Sequence, residues 1–193
     1  MINSNFEKWK MYITSLWLLF FLILIITVDI PISFSSNSKF VGVVELLISN
    51  IIPAISFLML LLGLFFVHTF NKNLDGSVSS SFKVRHIANK NYEHLTFLTT
   101  YIIPLICFDL ESSRYVVVLV ILLIIIGLIY VRTDMFYANP TLALLGYQLY
   151  EADVELRDGM HNSLILISRS KISDNTKIVY RKLDDKIYFV RSV

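Results

Sequence analysis

Residues Tyr115 to Val131 read YVVVLVILLIIIGLIYV, 17 consecutive positions without a charged side chain. The β-branched content suits a strand buried on both faces, but strands rarely exceed about ten residues. A helix through about 30 Å of hydrocarbon needs about 20 mostly apolar residues. The stretch therefore predicts a helix whose solvent is lipid. Working outward, three more apolar runs precede it: Tyr12 to Val28, Leu46 to Val67 and Leu95 to Phe108. None of the four contains Asp, Glu, Lys, Arg or His.

The composition agrees. The 193 residues are 55% apolar and 17% charged, against about 45–50% and about 25% in soluble domains. More than half of the charge falls in residues 132–193, which carry nine Lys/Arg and eight Asp/Glu. Four buried helices in a soluble globule would need a larger polar shell than this chain has. The expected fold is a four-span α-helical transmembrane bundle over residues 1–131, with spans at about 11–29, 46–69, 93–110 and 114–131. After it come a membrane-proximal linker and interfacial segment at 132–150 and a small antiparallel β domain at 151–193. The third run is the weakest span, being short and interrupted by Pro104, and it needs flanking residues or a thinned bilayer to cross. Leader cleavage after the first run is the lesser reading there, since the residues beyond Asp29 are IPISFSSNS.

Loop charge sets the orientation. Lys8 and Lys10 precede the first span, Lys72, Lys83, Arg85 and Lys90 lie between the second and third, and Arg132 comes after the fourth. Lys39 is the sole basic residue of the first external connection, and Arg114 faces Asp109 and Glu111 in the other. The positive-inside tendency puts both termini in the cytoplasm. Trp9, Tyr12, Tyr115, Tyr130 and Tyr137 fall near span ends, where amphipathic rings favour the headgroup level.

Inside the second span, Asn50 is the residue that needs a partner, so it is the candidate interhelical polar contact. The stretch from Lys83 to Lys90, KVRHIANK, makes Lys83, Arg85 and Lys90 candidates for contact with a partner or with lipid, against the alternative of a solvated membrane-proximal helix. Asp75-Gly76, Asp158-Gly159 and Asp184-Asp185 read as turns. In the tail, NSLILIS (162–168), KIVYR (177–181) and KIYFV (186–190) read as short strands, for a domain of four or five strands resembling an SH3-like or open barrel in size.

Function classes are narrowed largely by exclusion. No ionisable group lies at membrane depth, which disfavours a pump or proton-coupled transporter. Hydroxyls and Asn50 leave open a channel lined by an oligomer. A net charge of +2 and a nearly neutral tail predict no direct nucleic-acid binding. Tyr180, Tyr188 and Phe189 read as core residues or cross-strand pairs before they read as a base-stacking platform. The single cysteine, Cys107, permits no internal disulfide. No zinc spacing, P-loop or nucleophile motif is present, so no catalytic, cofactor or metal residue is assigned.

The segment from Thr133 to Tyr147, TDMFYANPTLALLGY, together with the membrane layout, resembles the small membrane subunit of the bacterial Kiwa anti-phage defence system. The resemblance implies a non-enzymatic sensor and scaffold in the inner membrane. It would assemble as a homo-oligomer, with a tetramer as the form suggested by the family, detect phage attack at the membrane, and engage a cytoplasmic DNA-binding partner subunit. The alternatives are an oligomeric pore or channel-like effector and an accessory subunit of a transporter. Arg132, Asp134, Asn139 and Pro140 sit between the last span and the tail and are the candidate coupling residues, with helix termination as their structural alternative.

Overall fold

The computed structural model describes residues 5–29, 42–75, 81–156 and 159–192. Lys39, Gly76 and Asp158 lie outside the described residues. The chain opens with α1 (Asn5–Ser15) and α2 (Trp17–Thr27), which meet at Leu16 and are bent by 40°. Side chains at the break compete for the helical carbonyls: Thr14 Oγ1 donates to the Lys10 carbonyl at 2.9 Å and Ser15 Oγ to that of Tyr12 at 2.6 Å. Such back-bonding bends a helix. Next come α3 (Val43–Ser49) and α4 (Ile51–Asp75), separated at Asn50, then β1 (Ser81–Asn89), α5 (Tyr92–Cys107) and α6 (Ser113–Arg132).

The four-span expectation is corrected. Among the described residues only Ile51–Thr69 and Ser113–Arg132 are long and apolar enough to cross a membrane, and the count rises to three if the bent α1/α2 pair is one span. The first and second runs are each broken, at Leu16 and at Asn50. The third forms α5, only 16 residues long, a rise of about 24 Å. It cannot lengthen at either end. Before it, Lys90 N donates to the Leu149 carbonyl at 2.9 Å and Asn91 Oδ1 accepts from Leu149 N at 2.6 Å, so those residues are committed to the barrel. After it, Phe108 is extended and Asp109 Oδ1 accepts from Glu111 N at 3.0 Å, turning the chain toward α6. One side of α5 is buried through His94, Phe97, Tyr101 and Leu105.

After α6 a left-handed Asp134 (φ 56°) starts a 3-10 turn at Met135–Tyr137. Then come α7 (Pro140–Leu144), β2 (Gln148–Leu156), β3 (Gly159–Ser168), β4 (Lys177–Lys182) and β5 (Ile187–Ser192). The five strands close into a barrel in the order β1-β2-β3-β5-β4, with β1 pairing β4 and β3 running parallel to β5. This overturns the SH3-like or open antiparallel barrel. The basic stretch, read as a partner or lipid contact or as a solvated membrane-proximal helix, lies in the strand that closes the sheet, and β1 and β2 flank the α5–α6 pair in sequence. The strand order, with its parallel β3/β5 pair, is that of an OB barrel, here with two helices inserted between its first two strands.

The barrel strands are apolar on both faces for a reason visible in the packing. Phe82, Val84, Tyr150, Ala152, Val154, Leu164, Leu166, Tyr188 and Val190 fill the barrel. The alternate residues Leu149, Ile167, Ile187 and Phe189 join a second core with Met11, Tyr12, Tyr130, Ala138 and Leu142. Period-two alternation sends successive residues to opposite faces, and here one face meets barrel and the other meets helix. On the helical side, α1 and α6 touch closely: a Cβ on Gly127 would lie 2.6 Å from the Tyr12 ring and 2.7 Å from the Trp9 ring.

Candidate functional site

The junction where the helices meet the barrel holds the buried polar groups that link the two. Asn139 is wholly buried and caps α7. Asparagine before proline suits this place, since the amide oxygen satisfies a free helical N–H while proline at the first helical position has none to satisfy. Asn139 Oδ1 accepts from Thr141 N at 2.9 Å, and its Nδ2 donates to the Met11 carbonyl of α1 at 3.2 Å. Thr141 Oγ1 donates to the Thr14 carbonyl at 2.7 Å. Two polar side chains of the α7 turn thus bond to the backbone of the first helix just before its bend.

At the rim of the same junction Lys8 pairs with Asp134 and lies 3.7 Å from Asp184 in the β4–β5 turn. The Lys8 and Asp184 side chains are 14% and 11% exposed, whereas that of Asp134 is 51% exposed. One lysine of α1 therefore touches both the segment after α6 and the barrel. Charge pairing at partial burial is costly to break because the remaining group keeps its desolvation penalty. His94, 3% exposed at the start of α5, sits against this site, and its ring nitrogens make no well-aligned hydrogen bond beyond a weak contact with the Asn139 backbone. Its burial lowers the imidazole pKa to about 4, opposed in part by the backbone of Asn139.

The sequence-derived candidates divide. Asp134, Asn139 and Pro140 converge on the junction, while Arg132 ends α6 as an exposed residue. Lys83, Arg85 and Lys90 are on β1 or its end. Arg85 Nε bonds Glu155 Oε2 at 2.9 Å and Lys90 Nζ bonds Glu151 at 2.9 Å, so two of these cations are paired with acids of β2. The Lys90 contact holds the Glu151 carboxyl below its ordinary pKa. Asn50 lies at the opposite end of the helices. Its Nδ2 donates to the Asp29 carbonyl at 2.8 Å while its Oδ1 accepts from Asp29 N at 2.8 Å, tying the end of α2 to the α3–α4 break. Lys8, Thr14, His94, Thr141 and Asp184 complete the junction, and sequence reading did not single them out as site residues. The Asn-Pro-Thr cap was the one local signal for Thr141. Among the described residues no group of three or more His, Cys, Asp or Glu is placed to hold a metal ion.

Through these contacts α1, α7, the segment after α6 and the β4–β5 turn are fastened to one another.

Comparison with known proteins gives an identity to this architecture. The family model described as anti-phage protein KwaA matches residues 7–189. The Kiwa protein KwaA of Escherichia coli O55:H7 is 33% identical over 192 residues, covering 99% of this chain and 98% of that protein. No solved structure matches the chain. With nearly the whole length matched by both, the chain belongs to the KwaA family of Kiwa anti-phage defence proteins.

Proposed function

We propose that this chain is the inner-membrane sensor and scaffold of its defence system. Its helices respond to disturbance of the bilayer during phage attack, and its barrel engages a DNA-binding partner subunit in the cytoplasm. The observation that carries the reading is the insertion of α5 and α6 between two adjacent strands of one closed sheet. A shift of these helices acts on β1 and β2 directly, and packed elements respond by discrete rather than graded shifts.

The cytoplasmic placement of the barrel end is supported by charge. Lys8, Lys10 and Arg132 lie with the barrel, whereas the far end of the helices carries Asp29, Asp109, Glu111 and Arg114. The contact of Lys8 with Asp184 brings the start of α1 to the barrel, which supports both chain ends being cytoplasmic. DNA contact is assigned to the partner because the β1 cations Arg85 and Lys90 are held by Glu155 and Glu151 of β2, and the helices cover the end of the barrel at its β4–β5 turn. A closed five-strand barrel with this strand order does not by itself confer nucleic-acid binding.

A cysteine pair at Lys8 and Asp134 tests the reading. Membranes carrying the oxidised pair should retain the partner subunit but no longer respond to phage, and reduction should restore the response. Sustained dye flux from liposomes holding the purified oligomer, without partner retention, would replace the scaffold by a pore.

A further inference from the structure

A groove of about 420 Å³ opens between α5 and α6 at their barrel ends, within the usual size range of small-ligand sites. Its body is apolar, walled by Phe97 and Thr100 of α5 and by Ile126 and Ile129 of α6. Its head is different. There Glu93 stands among Tyr92 and Tyr137, the Tyr137 hydroxyl interacts with its carboxylate, and Glu93 Oε2 is still left buried without a hydrogen-bond partner. A buried carboxylate oxygen requires a donor or a cation. The nearby Lys90 is engaged by Glu151 at 2.9 Å.

Depth distinguishes the two halves. Ile126 and Ile129 belong to the last turns of a candidate membrane crossing, whereas Glu93 begins α5 directly after the barrel strand β1. An occupant must therefore present a cation at headgroup level and hydrocarbon below it. The Lys90 ammonium lies over the Tyr92 ring, 5.8 Å from its centroid, so the aromatic head of the groove already accommodates this kind of cation, and an ammonium is favoured in particular. We propose that this groove binds a phospholipid whose headgroup ends in an ammonium, of the ethanolamine type, with the ammonium at Glu93 and an acyl chain along Ile126 and Ile129. An anionic glycerol headgroup would meet the Glu93 carboxylate with like charge. The site requires membrane embedding and does not depend on a partner subunit.

The test exposes the full-length protein in nonionic detergent to mixed micelles of equal phosphatidylethanolamine and phosphatidylglycerol, then reads retained lipid by native mass spectrometry. Phosphatidylethanolamine should be enriched on the order of tenfold, and E93Q should bring the ratio to about one. Thr100→Trp, which fills the groove without touching its head, should reduce retention of both lipids, with thermal unfolding confirming that each variant folds. Equal retention of the two lipids by the unaltered protein would overturn the proposal, as would an E93Q ratio unchanged from it. A photo-crosslinker at Thr96 that joins two copies of the chain instead of capturing lipid would also overturn it, by making the groove a subunit contact.

Discussion

Asn139 Nδ2 reaches the carbonyl of Met11 at 3.2 Å, joining residues 128 apart in sequence inside a site with no exposure of the asparagine. The same side chain caps α7, so it satisfies a helix start and an interhelical carbonyl at once. Burial makes both bonds matter, because an abandoned partner has no water to turn to.

Asn139→Ala should lower stability by about 2–3 kcal/mol, the sum of a lost cap and a broken buried bond. The measurement is the unfolding midpoint of the protein in detergent. Asn139→Asp should keep the cap but lose the bond to Met11 and bury a charge, leaving it no better than the alanine variant. A midpoint equal to that of the unaltered protein in either variant would count against the double role.

The Lys8 contacts predict unequal losses. Asp184→Ala should relieve α1 of its tie to the barrel and cost more than Asp134→Ala, whose carboxylate is half-exposed and screened by water. Lys8→Met should cost more than either, since Asp184 is then left largely buried with only the more exposed Lys182 nearby. If the reading of this junction as the coupling point is right, Lys8→Met should also weaken protection from phage, without abolishing it, at unchanged membrane abundance, measured by plaque counts and immunoblotting.

Gly127 faces two aromatic rings with no room for a Cβ. Gly127→Leu should push α1 away from α6, exposing Trp9 and lowering stability by several kcal/mol on the scale of overpacked cores. Tryptophan fluorescence should shift and proteolysis near the start of the chain should accelerate. Gly42, with nothing near its would-be Cβ, is the wrong control because its φ of 109° already disfavours any other residue.

Acid should loosen the junction through His94. Its folded pKa, about 4, is below the unfolded value near 6.5, so below pH 6.5 the unfolded chain takes up a proton that the folded chain refuses. Stability attributable to this group is therefore whole above about pH 6.5 and is lost as pH falls toward 4, by roughly 2–3 kcal/mol. His94→Gln should flatten that part of the pH profile of the unfolding midpoint. A profile with the same slope in the variant would assign the acid response to carboxylates such as Glu151, whose pairing with Lys90 weakens in the same direction.

Parts of this protein were legible because they depend on one stretch of chain at a time. The 17 uncharged residues ending at Val131 specify α6 as a helix long and apolar enough to cross a membrane, and the Asn139-Pro140 pair specifies a break followed by a new helical turn. The resemblance carried by residues 133–147 held at the level of the family. Other stretches misled because their outcome was set elsewhere. KVRHIANK has too few apolar residues to announce a closing strand, and Arg85 occupies the β-bulge that disrupts its alternation. The run from Leu95 to Phe108 is apolar enough for lipid, but its neighbours on both sides are taken by the barrel and by the turn at Asp109.

The amino-acid sequence by itself determined which helices are long and apolar enough to cross a bilayer, because that property depends on length and composition alone. It also determined the family. Only tertiary structure decided that β1 crosses over to seal a sheet begun far downstream, that Lys8 meets Asp184, and that Asn139 holds Met11. Those outcomes are contacts between distant residues, and each is selected by which surfaces remain to be covered after every local element has formed.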